Sequence, residues 1–201
     1  LKYLQEISKK YGSKDFLILT YTPKEGMISD VSINNLLSLK YKIQSLEWVH
    51  NVVTLLDIPL LDNSEAPLQE RLEKFKTLKD DDVDKDRGFK EILSSPVFRN
   101  FVISEDGKTS GIIVYLKKNK PLENIDNKTK KEIEDYKDVI KKQNHKNILE
   151  IREIIKSYED IGKIHLGGIP MIADDMMTFI KSDIIVFGLG VLLFIIATLW
   201  Y

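Results

Sequence analysis

The chain has 201 residues, 43% of them hydrophobic, which supports one well-packed domain or a domain with an appendage and excludes a disordered chain. Its 31 acidic and 30 basic residues are mixed along the sequence for a formal net charge of -1, so no global basic field draws it to nucleic acid or anionic lipid. The absence of cysteine removes disulfide scaffolds, thiolate zinc sites and thiol nucleophiles.

No basic n-region and apolar h-region stand before Leu1, so no signal peptide is read, and the chain is expected to be a segment of something longer. "KDFLILTYTP" reads as a first strand from Phe16 to Tyr21, ended by Pro23, with Lys24-Glu25-Gly26 as a polar turn. "SDVSINNLLSLKYKIQSLE" offers Asp30 or Ser32 as N-cap of a helix whose apolar residues, Ile33, Leu36, Leu37, Ile43 and Leu46, recur at helical spacing. "WVHNVVTLLDIP" returns to strand grammar through Val49, Val52, Val53, Leu55 and Leu56, up to Pro59. The first unit is strand, helix, strand.

Residues 60–96 break that pattern and read as an insertion, with a charged helical piece around "PLQERLEKFKTL", the acidic run "KDDDVDKDR" and a short helix "FKEILSS". In "RNFVISEDGKTSGIIVYLKKN" two apolar strands flank Glu105-Asp106-Gly107-Lys108, and Asp-Gly is among the strongest hairpin-turn dipeptides. The second of these strands, Gly111 to Leu116, is apolar on both faces, which predicts a central place or a sheet covered on both sides. From Asp126 to Tyr158, Ile133, Tyr136, Ile140, Ile148, Ile151, Ile155 and Tyr158 recur by threes and fours. They predict one long amphipathic helix, and the gap in the repeat at Asn144-His145 leaves a break there open. "KIHLGG" supplies a last short strand, so strand, helix, strand repeats. Two such units predict an α+β domain of the ferredoxin-like βαβ-βαβ kind, with helices on one face of an antiparallel sheet, a fold that hosts many functions and decides none.

The acidic run Asp82-Val83-Asp84-Lys85-Asp86 opens like a calcium loop, since carboxylates on alternate residues converge on a hard cation. Arg87 holds the position that needs glycine, and the twelfth position is Leu93 where a bidentate Glu belongs, so a solvated acidic loop is the better reading. His50, His145 and His165 are far apart in different elements and suggest neither a metal triad nor a base with an orienting acid. There is no Gly-x-Ser-x-Gly elbow and no phosphate-cradling glycine loop. No enzyme, cofactor or metal is predicted. An RNA-binding domain of this fold would carry aromatics on its central strands and a basic surface, and "FVISED" and "GIIVYL" place mainly aliphatics there.

The end of the chain changes grammar three times. Pro170 suits a helix's first turn, and Asp174 and Asp175 sit early enough to favour the positive end of its dipole. Asp174, Asp175, Thr178, Lys181 and Ser182 form a polar stripe, opposite an apolar one of Ile172, Met176, Met177, Ile180 and Ile184. After Asp183 the charges stop. About a dozen Ile, Val, Leu and Phe follow, worth on the order of -4 to -7 kcal/mol for membrane insertion. Ile184 to Trp200 would span roughly 25 Å as a helix, against a hydrocarbon core of about 30 Å. Trp200-Tyr201 suits an interface belt, and Gly188 and Gly190 are better tolerated in membrane helices than in soluble ones. The expected domain limits are 1–182 for the soluble part and 183–201 for the start of a transmembrane helix. Pro170, Asp174, Asp175, Met176, Met177, Ile180 and Asp183 mark a helix that couples domain to membrane.

Three stretches resemble one family: "YGSKDFLILTYTP", "SPVFRNFVISEDGKTSGIIVYL" and "IHLGGIPMIADDMMTFIKSDIIVFGLGVLLFII". In that order they span most of the chain and are similar to the resistance-nodulation-division (RND) exporters, within the branch of mycobacterial membrane-protein-large (MMPL) and hopanoid transporters. The resemblance implies the first periplasmic porter domain, between transmembrane helices one and two, with helix two beginning near Asp183, in a bacterial inner membrane. It implies proton-driven export of lipid-like or hydrophobic substrates, with proton-relay acids in later helices, so Asp174 and Asp175 are given a helix-start role. The partners it implies are the remaining membrane and second periplasmic domains of the same transporter, a hydrophobic or lipid substrate and the membrane, but no nucleic acid; assembly into a homo-oligomer is left open. A single-span anchored sensor or ligand-binding domain is the alternative.

Overall fold

The computed structural model describes residues 15–61, 75–119 and 128–200. In chain order the elements are β1 (Phe16–Pro23), α1 (Asp30–Gln44), β2 (Val49–Val53), a 3₁₀ turn (Leu55–Asp57), α2 (Lys85–Ser94), β3 (Ser110–Leu116), α3 (Lys130–Lys156), β4 (Gly162–Gly167) and α4 (Ile169–Trp200). The chain is mixed α/β with a four-stranded antiparallel sheet in the order β2-β3-β1-β4. Two β-α-β units interleave to give it: β1 and β3 lie side by side at the centre, and the second strand of each unit takes an edge beside the other unit's first strand. Gly111 to Leu116 is thus central, as its apolar run predicts.

Alternation along the strands sorts the sheet into two unlike faces. Leu17, Leu19 and Tyr21 of β1 point to the same side as Ile112 and Val114 of β3, and all are buried. Onto that side pack Ile33, Leu36, Leu39 and Ile43 of α1 with Ile148, Ile151 and Ile154 of α3. The other face carries Phe16, Ile18, Ile113 and Tyr115; Phe16 and Ile18 remain about two-fifths exposed, at 43% and 40%. On β2 the buried residues Val49 and Val52 are three apart, which strict alternation forbids. A bulge at His50, between the pairs Val49–Leu116 and Asn51–Tyr115, absorbs the extra residue.

Several boundaries differ from the sequence reading for identifiable reasons. Ser29 caps α1, its side chain accepting from the Ser32 amide, so Asp30 is already the first helical residue. Leu55 and Leu56 belong to the 3₁₀ turn and leave β2 at Val53, because Thr54 and Asp57 form a capping box that turns the chain. The residues before the Asp-Gly turn are not a full strand. The Phe98 carbonyl accepts from the amides of Phe101, Val102 and Ile103, winding that segment into turns, and only Ile103 bridges Ser110. The turn itself forms as expected, with Gly107 at φ 70° and the Asp106 carboxylate accepting from Ser104 Oγ and the Lys108 amide.

In the insertion, residues 62–74 of the charged helical piece lie outside the described residues. Phe75–Leu78 is not helical, and Lys76 forms a bridge with Leu60. The short helix starts four residues earlier than "FKEILSS" suggests because Asp84 caps it, accepting from the Arg87 amide. Several acids of the run thereby serve the structure: Asp80 accepts from the Thr77 amide, Asp82 pairs with Lys76 and Asp84 caps the helix, while Lys85 pairs with Asp30. Helix α3 opens on a capping box of Thr129 and Glu132 and runs without interruption through the gap at Asn144 and His145, the single long helix read from the sequence.

Candidate functional site

Of the residues singled out by sequence, Pro170, Asp174 and Asp175 lie in the first turns of α4, just past the junction where β4 hands it the chain. Gly168, between the two elements, has φ 123°, a conformation for glycine. A Cβ there would lie 3.0 Å from the Phe16 carbonyl oxygen and 3.2 Å from Leu17 Cα, so the link is pressed against the start of β1. Helix α4 starts at Ile169 with Pro170 in its first turn, where the missing N–H is harmless.

Three polar contacts tie the first turns of α4 to α3. Asn144 Nδ2 donates to the Pro170 carbonyl at 2.8 Å. His145 Nδ1 lies 2.9 and 3.0 Å from the two carboxylate oxygens of Asp174. Arg152 Nη2 lies 2.8 and 2.9 Å from those of Asp175. His145 and Arg152 are seven residues apart, two turns of α3, and so sit on one edge of the helix beside its buried Ile148 and Ile151. Asp174 is 7% exposed and is the buried residue of α4, whereas the His145 side chain is half-exposed.

The expected helix-start role for the two aspartates therefore needs correcting. Neither lies in the first turn of α4; both are held by side chains from α3. The gap in the apolar repeat at Asn144-His145 has the same origin. Those two polar residues interrupt the apolar repeat because they meet α4 and not the sheet. His145 thus does have an acid beside it, and the sequence signal was the gap itself. Arg152 carried no such signal, since an exposed arginine on a charged helix looks like any other.

The energetics favour a holding role for this cluster. A buried carboxylate is tolerated when paired and hydrogen-bonded, and removing its partner leaves an uncompensated charge. The Arg152–Asp175 pair, with both side chains substantially exposed, adds little on its own. Among the described residues no group of three or more His, Asp or Glu side chains gathers to hold a metal ion. His50 stands exposed on β2, and His165, exposed on β4 three residues before Gly168, lies on the sheet face opposite the cluster.

Beyond Asp175 the remaining 25 residues of α4 run on as helix for about 37 Å. Met176, Met177, Ile180 and Asp183 are exposed, as are the apolar residues from Ile184 to Leu199. Among the described residues α4 is the one helix long and apolar enough to cross a membrane, and its apolar span is not buried in the domain. It is therefore not a core helix of the described domain. The Thr198 hydroxyl donates back to the Phe194 and Ile195 carbonyls, which hides its polarity inside the helix. Comparison with known protein families and with curated protein sequences finds no match to this chain.

Proposed function

We propose that the chain is the first extracytoplasmic porter domain of a proton-driven RND-type exporter of lipid-like or hydrophobic substrates, with α4 continuing into its second transmembrane helix. On this reading the sheet is ferredoxin-like, the soluble part lies in the periplasm, and α4 crosses a bacterial inner membrane. One observation carries the reading: an interleaved β-α-β pair passes without a break into a helix of 32 residues whose far part is exposed hydrocarbon. The three stretches that resemble the MMPL and hopanoid-transporter branch give it its family, and they fall on β1, on the turn with β3, and on β4 with α4. The domain would guide substrate leaving the membrane, and α4 would carry motion between the domain and the proton-driven helices.

The test is transport by the full-length gene product in proteoliposomes loaded with a fluorescent lipid. Export that needs an imposed proton gradient and stops with a protonophore is the expected result. No gradient-dependent movement, in a gene product lacking further membrane helices and a second domain of this kind, would replace the transporter with a single-span anchored sensor.

A further inference from the structure

The docked part of α4 is inverted relative to an ordinary amphipathic helix. Its domain-facing side holds the Asp174 carboxylate and the partly buried Met171, while Ile169 and Ile172 are 81% and 52% exposed. The domain therefore holds the helix largely through the Asn144–Pro170, His145–Asp174 and Arg152–Asp175 contacts, which water can replace more readily than core packing. β1 and β4 turn Leu17, Leu19, Ile164 and Leu166 toward the helical side. Lys163 and His165 alternate onto the opposite face, so among the described residues the sheet supplies no cation to Asp174. On α4 itself the nearest charges are Asp175, already bound by Arg152, and Lys181, two turns on. Just ahead of the clasp, Gly168 with its positive φ is a single element-end residue of the kind that absorbs the backbone change when one body turns on another.

We infer that the β4–α4 junction is a hinge closed by a polar clasp: α4 pivots at Gly168, and the His145–Asp174 pair, with Asn144 and Arg152, holds its direction. Losing that pair frees the helix to swing while the sheet and its core stay folded. The inference rests on reading α4 as a membrane helix for its use, and it gives the proposed transporter a releasable link between domain and bilayer.

The cysteine-free chain makes the test direct. Asn51→Cys on the exposed edge of β2 and Lys181→Cys on α4 carry spin labels, and the distance distribution is measured by pulsed electron paramagnetic resonance, in detergent and in phosphatidylcholine nanodiscs. One narrow distribution is expected for the intact clasp. His145→Ala and Asp174→Asn should each broaden it or add a displaced population, with circular dichroism and a cooperative melt showing the domain folded. His145 is half-exposed, so its variant opens no core, and Val139→Ala, on the exposed side of the same helix, should change nothing. Distributions that superimpose on the parent in both clasp variants, or a parent already broad, overturn the clasp. Failure to enter nanodiscs alongside the expected detergent result overturns the membrane reading alone.

Discussion

A methyl group added at Gly162 would sit 2.5 Å from the Thr22 carbonyl oxygen and 3.0 Å from Pro23 Cα, both backbone atoms of the neighbouring strand. Neither neighbour can rotate away, so Gly162→Ala must push β4 from β1. It should cost about 1–3 kcal/mol or more, the range for overpacking a rigid site, read as a fall in Tm. At Gly167, five residues along the same strand, the nearest atom is 3.8 Å away, and Gly167→Ala should leave Tm nearly unchanged. Equal losses at both positions would contradict the strand pairing described here. Asp57 argues through charge instead. Burial opposes its ionisation, but hydrogen bonds from Lys40, Lys79 and Thr54 outweigh it and hold its carboxyl below the usual range. Asp57→Asn strands the mostly buried Lys40 ammonium and should cost about 1–3 kcal/mol at neutral pH. A carboxyl whose folded pKa is depressed stabilises fully above its unfolded value, about 3.9, and loses that contribution as pH falls through the folded one. Urea melts of parent and variant should therefore stay apart above pH 5 and converge in more acid solution. The Glu132 carboxylate follows the same sign, held down to about 2 first by the Thr129 amide and then by Lys128 and the Thr129 hydroxyl. Its support for the start of α3 is present above about 4.3 and should vanish only as pH falls through about 2, which its side-chain NMR titration would show.

At the scale of elements, α3 is two helices in one. Its C-terminal half buries Ile148, Ile151 and Ile154 against the sheet, while Ile133, Tyr136 and Ile140 in the first half stay only partly covered and Val139 is exposed. Ile151→Ala should cost about 2–5 kcal/mol of stability, the usual range for emptying a packed site, whereas Val139→Ala should stay within about 0.5 kcal/mol. Chemical denaturation of the pair would measure the contrast. The apolar period made α3 legible from sequence because Ile148 and Ile151 mark the covered face at spacing three, although the next residue the period picked, Ile155, is only partly buried and Ile154 is the one covered. It could not say which half is covered, since coverage depends on where the sheet ends. The strands were legible as apolar runs ended by Pro23 or bounded by the Asp-Gly turn, but not which face is covered, because Phe16 and Ile18 are as apolar as the buried Leu17 and Leu19. Where the reading slipped, local hydrogen bonds overrode hydrophobic pattern. Leu55 and Leu56 look like strand, yet the box between Thr54 and Asp57 turns them out of it. Val102 and Ile103 look like a hairpin arm, yet Phe98 winds them back on themselves. The clasp was half legible. Asp174 and Asp175 stood out beside a hydrocarbon run, but their partners lie 29 and 23 positions earlier, and only the interrupted repeat at Asn144-His145 hinted at one of them.

For the whole molecule, the division between domain and membrane helix lies within α4. Met171 and Asp174 belong to the domain by contact, and everything from Met176 onward is exposed helix that adds no packing to the core. A fragment ending at Ser182 should therefore be soluble, unfold cooperatively and keep the Tm of the longer chain in mild detergent, because the lost residues support nothing in the sheet. A fragment ending at Gly168 loses the Met171 packing and leaves His145 and Arg152 without their carboxylates, and its Tm should be several degrees lower, since about 1 kcal/mol shifts a domain of this size by roughly 2–8 °C. Differential scanning calorimetry on the two fragments decides between this division and one placed at the end of β4. Equal midpoints would mean that α4 only touches the domain. Aggregation of the longer fragment with no cooperative transition would mean that the sheet and its helices do not fold without the membrane.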